Sequence, residues 1–327
     1  FNDIFVTLAI LIAFFGLGAL GSIVSFTSIG AFGASLTSAV MAAAAWGLAE
    51  VFTRKRRMAF PSIVLFLTFH TSVFMTFASY SLVGAVATGS GVFAGVLVAF
   101  AAFASAIAAW LHWKRFHVPV SIAAIASAVI GAFGSFLFSI MAAIDLAFAW
   151  AVLPALIFVL GLGVFAAALA FDASARERIT QRSDIAFWLH LLASPLIVHP
   201  VFQASGVLAG DIGGFGALIV IALYGVCAAI ALIVDRRALL VSALLYVAVA
   251  LAFLFSALGS VGLTSALSAL VIGSGLLTLS IFWAGLRRWI VEQMPLMVQA
   301  QVPAVAGADE GYEEEDYGEY RGRYSAH

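Results

Sequence analysis

The segment GVFAGVLVAFAAFASAIAAWLHWKR (residues 91–115) is predominantly apolar as far as Trp113 and then turns basic at Lys114 and Arg115. A helix of about 20 apolar residues crosses the hydrocarbon core of a bilayer, and tryptophan favours the headgroup level where such a helix ends. The whole chain shares this imbalance, since it is 64% hydrophobic and 9% charged over 327 residues. Soluble domains are about a quarter charged, so this chain has too few polar side chains to cover a globule in water. We therefore predict that most of it lies in lipid.

Ten runs of this kind are long enough to cross a bilayer, which takes about 17–25 residues each. They cover residues 4–24, 31–52, 58–80, 91–113, 118–141, 146–171, 185–205, 214–234, 238–258 and 262–285. The runs do not alternate apolar and polar side chains as a membrane barrel must, and an open sheet would leave its edge unpaired in lipid. The predicted fold is therefore an all-α, polytopic transmembrane bundle of about ten helices.

The positions of the basic residues predict the orientation of this bundle. All 15 follow an even-numbered span, at residues 54–57, 114–115, 176–182, 236–237, 287–288 and 321–323. The connections after odd-numbered spans contain none. Because basic loops are retained in the cytoplasm, both termini are predicted to be cytoplasmic, with five hairpins facing outward. We expect a multi-pass protein of the cell inner membrane, from a bacterium.

The stretch GLGALG (residues 16–21) matches the glycine pattern of a dinucleotide-binding turn. It lies inside an apolar span, however, and no acidic residue follows it until Glu50. Small residues in membrane helices instead allow neighbouring backbones to approach closely. We therefore predict packing roles for the glycines at 16, 18 and 21, for the GxxxG pair at 91 and 95, and for the pair at 161 and 163.

The sequence predicts no catalytic, metal or cofactor site. The motifs H-E-x-x-H and G-x-x-x-x-G-K-[ST] are absent, and Cys227 is the single cysteine, which excludes an intrachain disulfide and a cysteine-based zinc site. Asp211 lies in LAGDIGG, which differs from the GxGD of intramembrane aspartyl proteases by Leu208 at the first glycine. An enzyme is therefore not expected.

Neutral polar side chains are the candidates for a substrate path, because no Lys, Arg, Asp or Glu lies near the centre of any span. In the third span, His70 shares a helical face with Phe66, which favours a packed neutral imidazole over a ligand or a proton carrier. The opposite face carries a stripe of hydroxyl side chains, namely Thr68, Ser72 and Thr76. The stripe forms either helix–helix contacts or the wall of a polar path.

The seventh span, FWLHLLASPLIVHP (residues 187–200), is the most irregular. Its two histidines are nine positions apart and face opposite ways on a straight helix, so they are not a ready metal pair. Pro195 and Pro200 each remove a backbone donor, which predicts a kink or break between Leu191 and Pro200. Such irregular helices are tolerated where they face protein or a wet cavity. The candidate substrate path therefore includes His190, Ser194, Pro195 and His199.

The chain is predicted to have three parts: a transmembrane bundle at residues 1–288, a juxtamembrane segment at 289–305 that lies along the membrane interface, and a tail at 306–327. The tail is acidic and rich in tyrosine, and such a composition cannot bury a core, so it should be disordered. It either solvates the protein or docks a basic protein partner. The residues that would make this contact are Glu313, Glu314, Glu315 and Asp316.

Two functions are consistent with these features: a small-molecule transporter with neutral or apolar cargo, or a non-catalytic membrane subunit or scaffold of a larger complex. In layout alone, with ten spans and both ends inside, the chain is similar to the drug/metabolite transporter superfamily, and no motif is carried over. Uncharacterised bacterial inner-membrane proteins share this layout. The lipid bilayer is the expected partner, and no nucleic acid is expected. A polar cavity at mid-membrane depth would favour the transporter.

Overall fold

The computed structural model describes residues 2–24, 30–175, 180–204, 213–255, 261–299 and 302. It is 93% helix, with no strand in these ranges. The helices are α1 (Asn2–Val24), α2 (Gly30–Ala49), a π-helical turn (Glu50–Lys55), α3 (Ala59–Thr88), α4 (Gly91–Phe116), α5 (Val120–Ile144), α6 (Leu146–Ala173), α7 (Gln181–Ala204), α8 (Gly213–Val234), α9 (Ala238–Phe255), α10 (Val261–Glu292) and α11 (Leu296–Gln299). The all-α prediction is confirmed for the part of the chain described.

Eight helices are long and apolar enough to cross a membrane: α1 to α7, with α2 extended by its π-helical turn, and α10. The remaining two predicted spans coincide with α8 and α9. The count of ten crossings and the orientation of the termini therefore stay predictions. α3 extends beyond its predicted end at residue 80 because its first left-handed residue is Gly89, with φ +63°. Glycine adopts this conformation without steric cost and so ends helices.

The division between α5 and α6 is a single residue, Asp145. Its backbone is extended, with φ −152° and ψ 115°. Its Oδ1 accepts hydrogen bonds from the amides of Ala147 at 2.8 Å and Phe148 at 3.2 Å, which caps the free N–H groups of α6. The capping carboxylate of Asp145 therefore separates two helices whose sequences form an almost continuous apolar run.

The glycine prediction is confirmed at three positions. A Cβ atom on Gly21 would overlap Thr37 of α2, and one on Gly95 would overlap Ser139 of α5. A Cβ on Gly161 would lie 2.8 Å from the Cβ of Leu196 in α7.

The prediction is wrong at four other glycines, where nothing in the described chain lies within 4 Å of an added Cβ: Gly16, Gly18, Gly91 and Gly163. At Gly163 the physical reason is helical geometry, because it lies two positions from Gly161 and so points to a different face of α6. Gly91 is the first residue of α4.

The chain divides into two compact units. The first unit comprises Phe1–Ala167 and Asp184–Ile197, and the second comprises Ala168–Ser183 and Val198–His327. In the first unit, α2 packs on α3, and α4 packs on both α3 and α5. Its cores join α1 to α2 and α3 through Phe14, Ala45 and Leu65, and α3 to α4 and α5 through further small and aromatic side chains.

The core of the second unit is formed by the end of α7, α8 and α9. Its buried members are Val198, Phe202, Val220, Ala243, Tyr246, Val247, Ala250 and Leu251. Within this unit α10 packs on α8 and α9.

Of the kink or break predicted in the seventh helix, the break is wrong, and the kink stays a prediction. α7 is one continuous α-helix from Gln181 to Ala204 and passes through both Pro195 and Pro200. Each proline removes only one backbone bond, and 50% of the most apolar window of α7 is buried, the largest share among the eight spans. Tertiary packing therefore outweighs the lost bonds, as it does for most protein helices.

The juxtamembrane segment does not begin at residue 289 as a separate element. α10 continues through Trp289 to Glu292, and α11 follows after Pro295. The acidic tail at 306–327, with its four candidate partner-binding residues, lies outside the described residues.

Candidate functional site

The four candidate path residues of α7 are distributed over both units. His190 and Ser194 belong to the first unit and are fully buried, with the His190 ring edge-on to Phe165 at a centroid distance of 5.3 Å. Pro195 is exposed. His199 belongs to the second unit, where its Nδ1 and the hydroxyl of Tyr246 are 2.5 Å apart. The two histidines are therefore held by different sets of neighbours.

Within the hydroxyl stripe of α3, the side chain of Thr76 hydrogen-bonds to the backbone of its own helix. Ser72 is buried, and the Oγ1 of Thr76 donates to its carbonyl oxygen at 2.8 Å. The carbonyl oxygen of Thr76 in turn accepts from Ser35 Oγ of α2 at 2.7 Å. Thr68 is half-buried on the same helix. Ser72 and Thr76 thus take part in holding α3 and its contact with α2.

His70 stacks on Phe66, as its helical face predicts, at a centroid distance of 5.8 Å and an interplanar angle of 15°. It also lies close to the backbone of Ser105 in α4. These two contacts place His70 at the α3–α4 contact of the first unit.

His112 of α4 is a buried polar group that the sequence analysis did not single out. It is fully buried, and neither ring nitrogen has a hydrogen-bond partner among the described residues. Four aromatic rings surround it, with centroid distances of 4.4 to 5.7 Å: Phe116, Phe66, Phe69 and Trp46. We call this group the aromatic enclosure.

A sequence signal for the burial of His112 did exist. Ser105 and Ala109 precede it at helical spacing, and both are buried. Lys114 lies two residues further on, and a polar ring so near the end of an apolar span is typical of the membrane interface, where it meets water.

A metal centre is not formed by the described residues, because no group of three or more His, Cys, Asp or Glu side chains comes together in them. Cys227 is a half-buried free thiol of α8.

A buried ion pair lies in the second unit, near the ends of α6 and α8. Arg236, in the turn before α9, contacts Asp172 through Nη2–Oδ1 at 2.5 Å and Nε–Oδ2 at 3.3 Å. The two side chains are only 10% and 7% exposed. Nη2 of Arg236 also donates to the carbonyl oxygen of Ser183 at 3.3 Å. Two-point contact of this kind gives a strong, oriented pair.

A second polar group occupies the same turn. Asp235, with φ +57°, accepts a hydrogen bond from Trp283 Nε1 of α10 at 2.8 Å, and its Oδ1 lies 3.8 Å from Nε of Arg287. The guanidinium of Arg237 lies over the ring of Trp283, 4.8 Å from its centroid. Trp283 therefore joins α10 to the turn by a hydrogen bond on its edge and a cation on its face.

An apolar groove begins at this turn and follows α9 and α10. Its first part has a volume of about 330 Å³ and is lined by Arg237, Leu240, Leu244, Leu276, Leu277, Leu279, Ser280 and Trp283. Its second part, of about 200 Å³, is lined by Tyr224, Leu244, Val247, Leu251, Val271, Ile272, Gly275, Leu276 and Leu279. The two parts share Leu244, Leu276 and Leu279, so they form one groove, which we call the α9–α10 groove.

The groove has a polar rim and an apolar interior. Arg237, Trp283 and Ser280 lie at one end, and the hydroxyl of Tyr224 is buried in the second part without a hydrogen-bond partner in the described chain. Arg237 and Leu251 are fourteen positions apart in sequence, which corresponds to about 20 Å along a helix. The hydrocarbon core of a bilayer is about 30 Å thick, so the groove extends over much of one span.

No family model matches the chain, and no curated protein or solved structure is significantly similar to it. The length and composition of the helices are therefore what indicate the class of protein. Eight of them in the described ranges are long and apolar enough to cross a membrane, which is compatible with an integral membrane protein.

Proposed function

We propose that the protein is a transporter for a small apolar or net-neutral molecule, that it resides in the inner membrane of a bacterial cell, and that its cargo occupies the α9–α10 groove. The proposal rests on one observation: nine of the fourteen residues that line the groove are leucine, valine or isoleucine. Sites of about 300–1,000 Å³ with mostly apolar walls and few polar groups are typical of small-molecule binding. No catalytic step and no cofactor are part of the proposal.

The exposure of the groove walls supports entry of the cargo from the lipid. Leu276 and Leu277 of α10 are 36% and 67% exposed, and only 6% of the most apolar window of α10 is buried. A molecule already dissolved in the bilayer can therefore reach the groove sideways without crossing water. The scarcity of charge in the middle of the spans agrees with such cargo, because a charged molecule would need polar partners at that depth.

Two glycines of α10 allow a test with matched variants. Gly275 lines the groove and Gly273 does not, and in the described chain no atom lies within 4 Å of a Cβ added at either position. Gly275→Leu should fill the groove without disturbing the backbone, while Gly273→Leu makes the same chemical change elsewhere on the helix. The two variants should therefore have similar stability but different cargo binding.

The measurement is lipid transfer by purified full-length protein in vesicles that contain fluorescent NBD-phosphatidylcholine, a net-neutral probe. Dithionite bleaches only the outer leaflet, so transfer appears as bleaching beyond the outer-leaflet fraction. We expect transfer with the natural protein and with Gly273→Leu, and loss of transfer with Gly275→Leu. Equal activity of the two variants, or no transfer by the natural protein, would contradict the proposal.

Purification of the native protein from membranes distinguishes the alternative. A non-catalytic subunit should copurify with a protein partner, and deletion of residues 306–327 should release that partner if the acidic tail docks it. A transporter should copurify with small molecules whose amount falls in Gly275→Leu.

The proposed orientation is tested by cysteine labelling in intact cells, in a Cys227→Ser background. Single cysteines at Ser90 and Gln181 sample connections that are predicted to lie on opposite sides of the membrane. Gln181 is exposed, whereas nearby Ser183 is buried beside Arg236. An impermeant thiol reagent should label Ser90→Cys only, and the reverse result would overturn the orientation.

A further inference from the structure

The rim of the α9–α10 groove differs from its walls in carrying a cation. Arg237 is exposed and lies over Trp283, and among the described residues no carboxylate forms an ion pair with it. The neighbouring cations are neutralised, since Arg236 pairs with Asp172 and Arg287 lies 3.8 Å from Asp235. Arg237 therefore supplies positive charge at the point where the apolar groove begins.

We propose that the molecule in the groove is an anionic phospholipid of the membrane, with its phosphate at Arg237 and one acyl chain along α9 and α10. This inference rests on the proposed groove as the cargo site and departs from the proposed cargo in its net charge: the anionic headgroup stays at the rim, and only the uncharged acyl chain enters the groove. Guanidinium groups bind phosphate oxygens through paired N–H donors. The stacked indole holds the guanidinium in place and itself favours the headgroup level of a bilayer.

The shape of the groove fits one extended chain better than a compact molecule. From Arg237 to Leu251 it follows about 20 Å of helix, and the residues between them that line the groove are Leu240, Leu244 and Val247. A phospholipid from the surrounding leaflet would place its phosphate at the rim and its tail in the groove without leaving the membrane. A lipid tail is already in hydrocarbon before it enters the groove, so its transfer changes the free energy little and the charged rim decides the selectivity.

Tyr224 gives an independent check on the position of the tail. Tyr224 lines the inner part of the groove beside Val247 and Leu251, and its buried hydroxyl has no hydrogen-bond partner in the described chain. An acyl chain offers no hydrogen bond at that depth. Tyr224→Phe should therefore leave lipid binding unchanged, whereas a cargo with a polar group in its middle would bind less well to this variant.

The experiment is native mass spectrometry of the full-length protein with equimolar phosphatidylglycerol and phosphatidylcholine of matched acyl chains. We expect a preference of about five-fold for phosphatidylglycerol, the factor typical of one basic side chain near an anionic lipid. Arg237→Gln should abolish the preference, and Arg237→Lys should retain most of it because the charge remains. Lys114→Gln is the matched control, because Lys114 lies over Trp110 at 3.7 Å but lines neither part of the groove.

The outcomes separate this inference from the proposed function. Gly275→Leu should lower the binding of both lipids relative to Gly273→Leu, and failure of that difference would remove the groove as a cargo site. Suppose that this difference holds, but Arg237→Gln keeps its lipid preference or the natural protein binds both lipids equally. The assignment of an anionic headgroup is then wrong, while the groove is still the cargo site. Loss of binding in Tyr224→Phe would overturn the placement of the acyl chain.

Discussion

The aromatic enclosure of the first unit and the α9–α10 groove of the second show two different ways of packing membrane helices. Around His112, α4 presents small buried side chains, including Ala101, Ala102, Ser105 and Ala109, so that its neighbours approach closely and aromatic rings close the remaining space. Along the groove, α9 and α10 face each other with leucines. Large branched side chains keep helix backbones apart and leave room between them, whereas small ones allow contact. The two units therefore differ in packing: small side chains bring helices together in the first, and the second leaves the groove in which we propose the cargo binds.

The ion pairs of the two units differ in how exposed their side chains are. In the first unit, Glu50 contacts Arg54 at 3.1 Å and Arg115 at 2.8 Å, and all three side chains are at least 29% exposed. In the second, Asp172 and Arg236 are nearly buried. An exposed pair contributes little to stability, but breaking a buried pair leaves an uncompensated charge in a medium of low dielectric constant. Substitutions in the two units can therefore test whether the buried pair contributes more to stability than the exposed one.

The largest effect is expected for Asp172→Asn. It leaves Arg236 buried and charged with only the neutral oxygens of Ser183 nearby among the contacts described above, so the free energy of unfolding should fall by about 3–5 kcal/mol. Glu50→Gln is the matched carboxylate-to-amide control and should change stability little, because solvent screens its partners. Thermal unfolding of both purified variants, followed by intrinsic fluorescence, measures the difference. If Asp172→Asn proves as stable as Glu50→Gln, the burial of this pair is not what holds the second unit.

An intermediate effect is expected for Gly161→Leu in the first unit. A Cβ at this position would lie 2.8 Å from the Cβ of Leu196 and 3.0 Å from its backbone carbon, which cannot move aside as a flexible side chain can. Overpacking of this kind costs about 1–3 kcal/mol. Gly163→Leu, two residues along the same helix, meets nothing within 4 Å in the described chain and should be neutral. Equal denaturation temperatures for the two variants would show that α6 and α7 are not in close contact at this point.

The helices themselves were predictable from the sequence, and their partners were not. Apolar runs place the ends of α4 and α6 within three residues of their observed positions, because lipid demands a certain length of helix. The ion pair of Glu50 with Arg54 was also accessible, since it joins neighbours one helical turn apart. Its contact with Arg115 was not, because that partner is 65 residues away in the sequence.

The choice of helix face explains most of what the sequence did not reveal about the sites. In lipid both the inner and the outer faces are apolar, so periodicity does not distinguish the face that meets protein from the face that meets lipid. Gly161 and Gly163 are equivalent by composition, and only the first meets a neighbour in the described chain. The groove depends on which leucines of α9 and α10 face each other, which requires their relative rotation. The rim of the groove could be predicted only in part from the sequence. Arg237 is evident as a basic residue, but its position over Trp283 depends on the packing of α10 against the turn.

The smallest effect, and the sharpest comparison of the two units, is expected for phenylalanine at His112 and at His199. Burying an imidazole without hydrogen-bond partners costs about 1–3 kcal/mol, so His112→Phe removes a penalty and places another ring among four. Its stability should equal or slightly exceed that of the natural protein. His199→Phe instead removes the hydrogen bond with Tyr246, so the free energy of unfolding should fall by about 1 kcal/mol.

Phenylalanine is larger than histidine, so His112→Leu serves as a second apolar variant of different shape. Equilibrium denaturation in detergent measures all three. Loss of stability in both His112 variants would mean that the imidazole nitrogens are hydrogen-bonded in the folded protein. The aromatic enclosure would then be a polar site, like the rim of the groove, and the contrast between the two units would not hold.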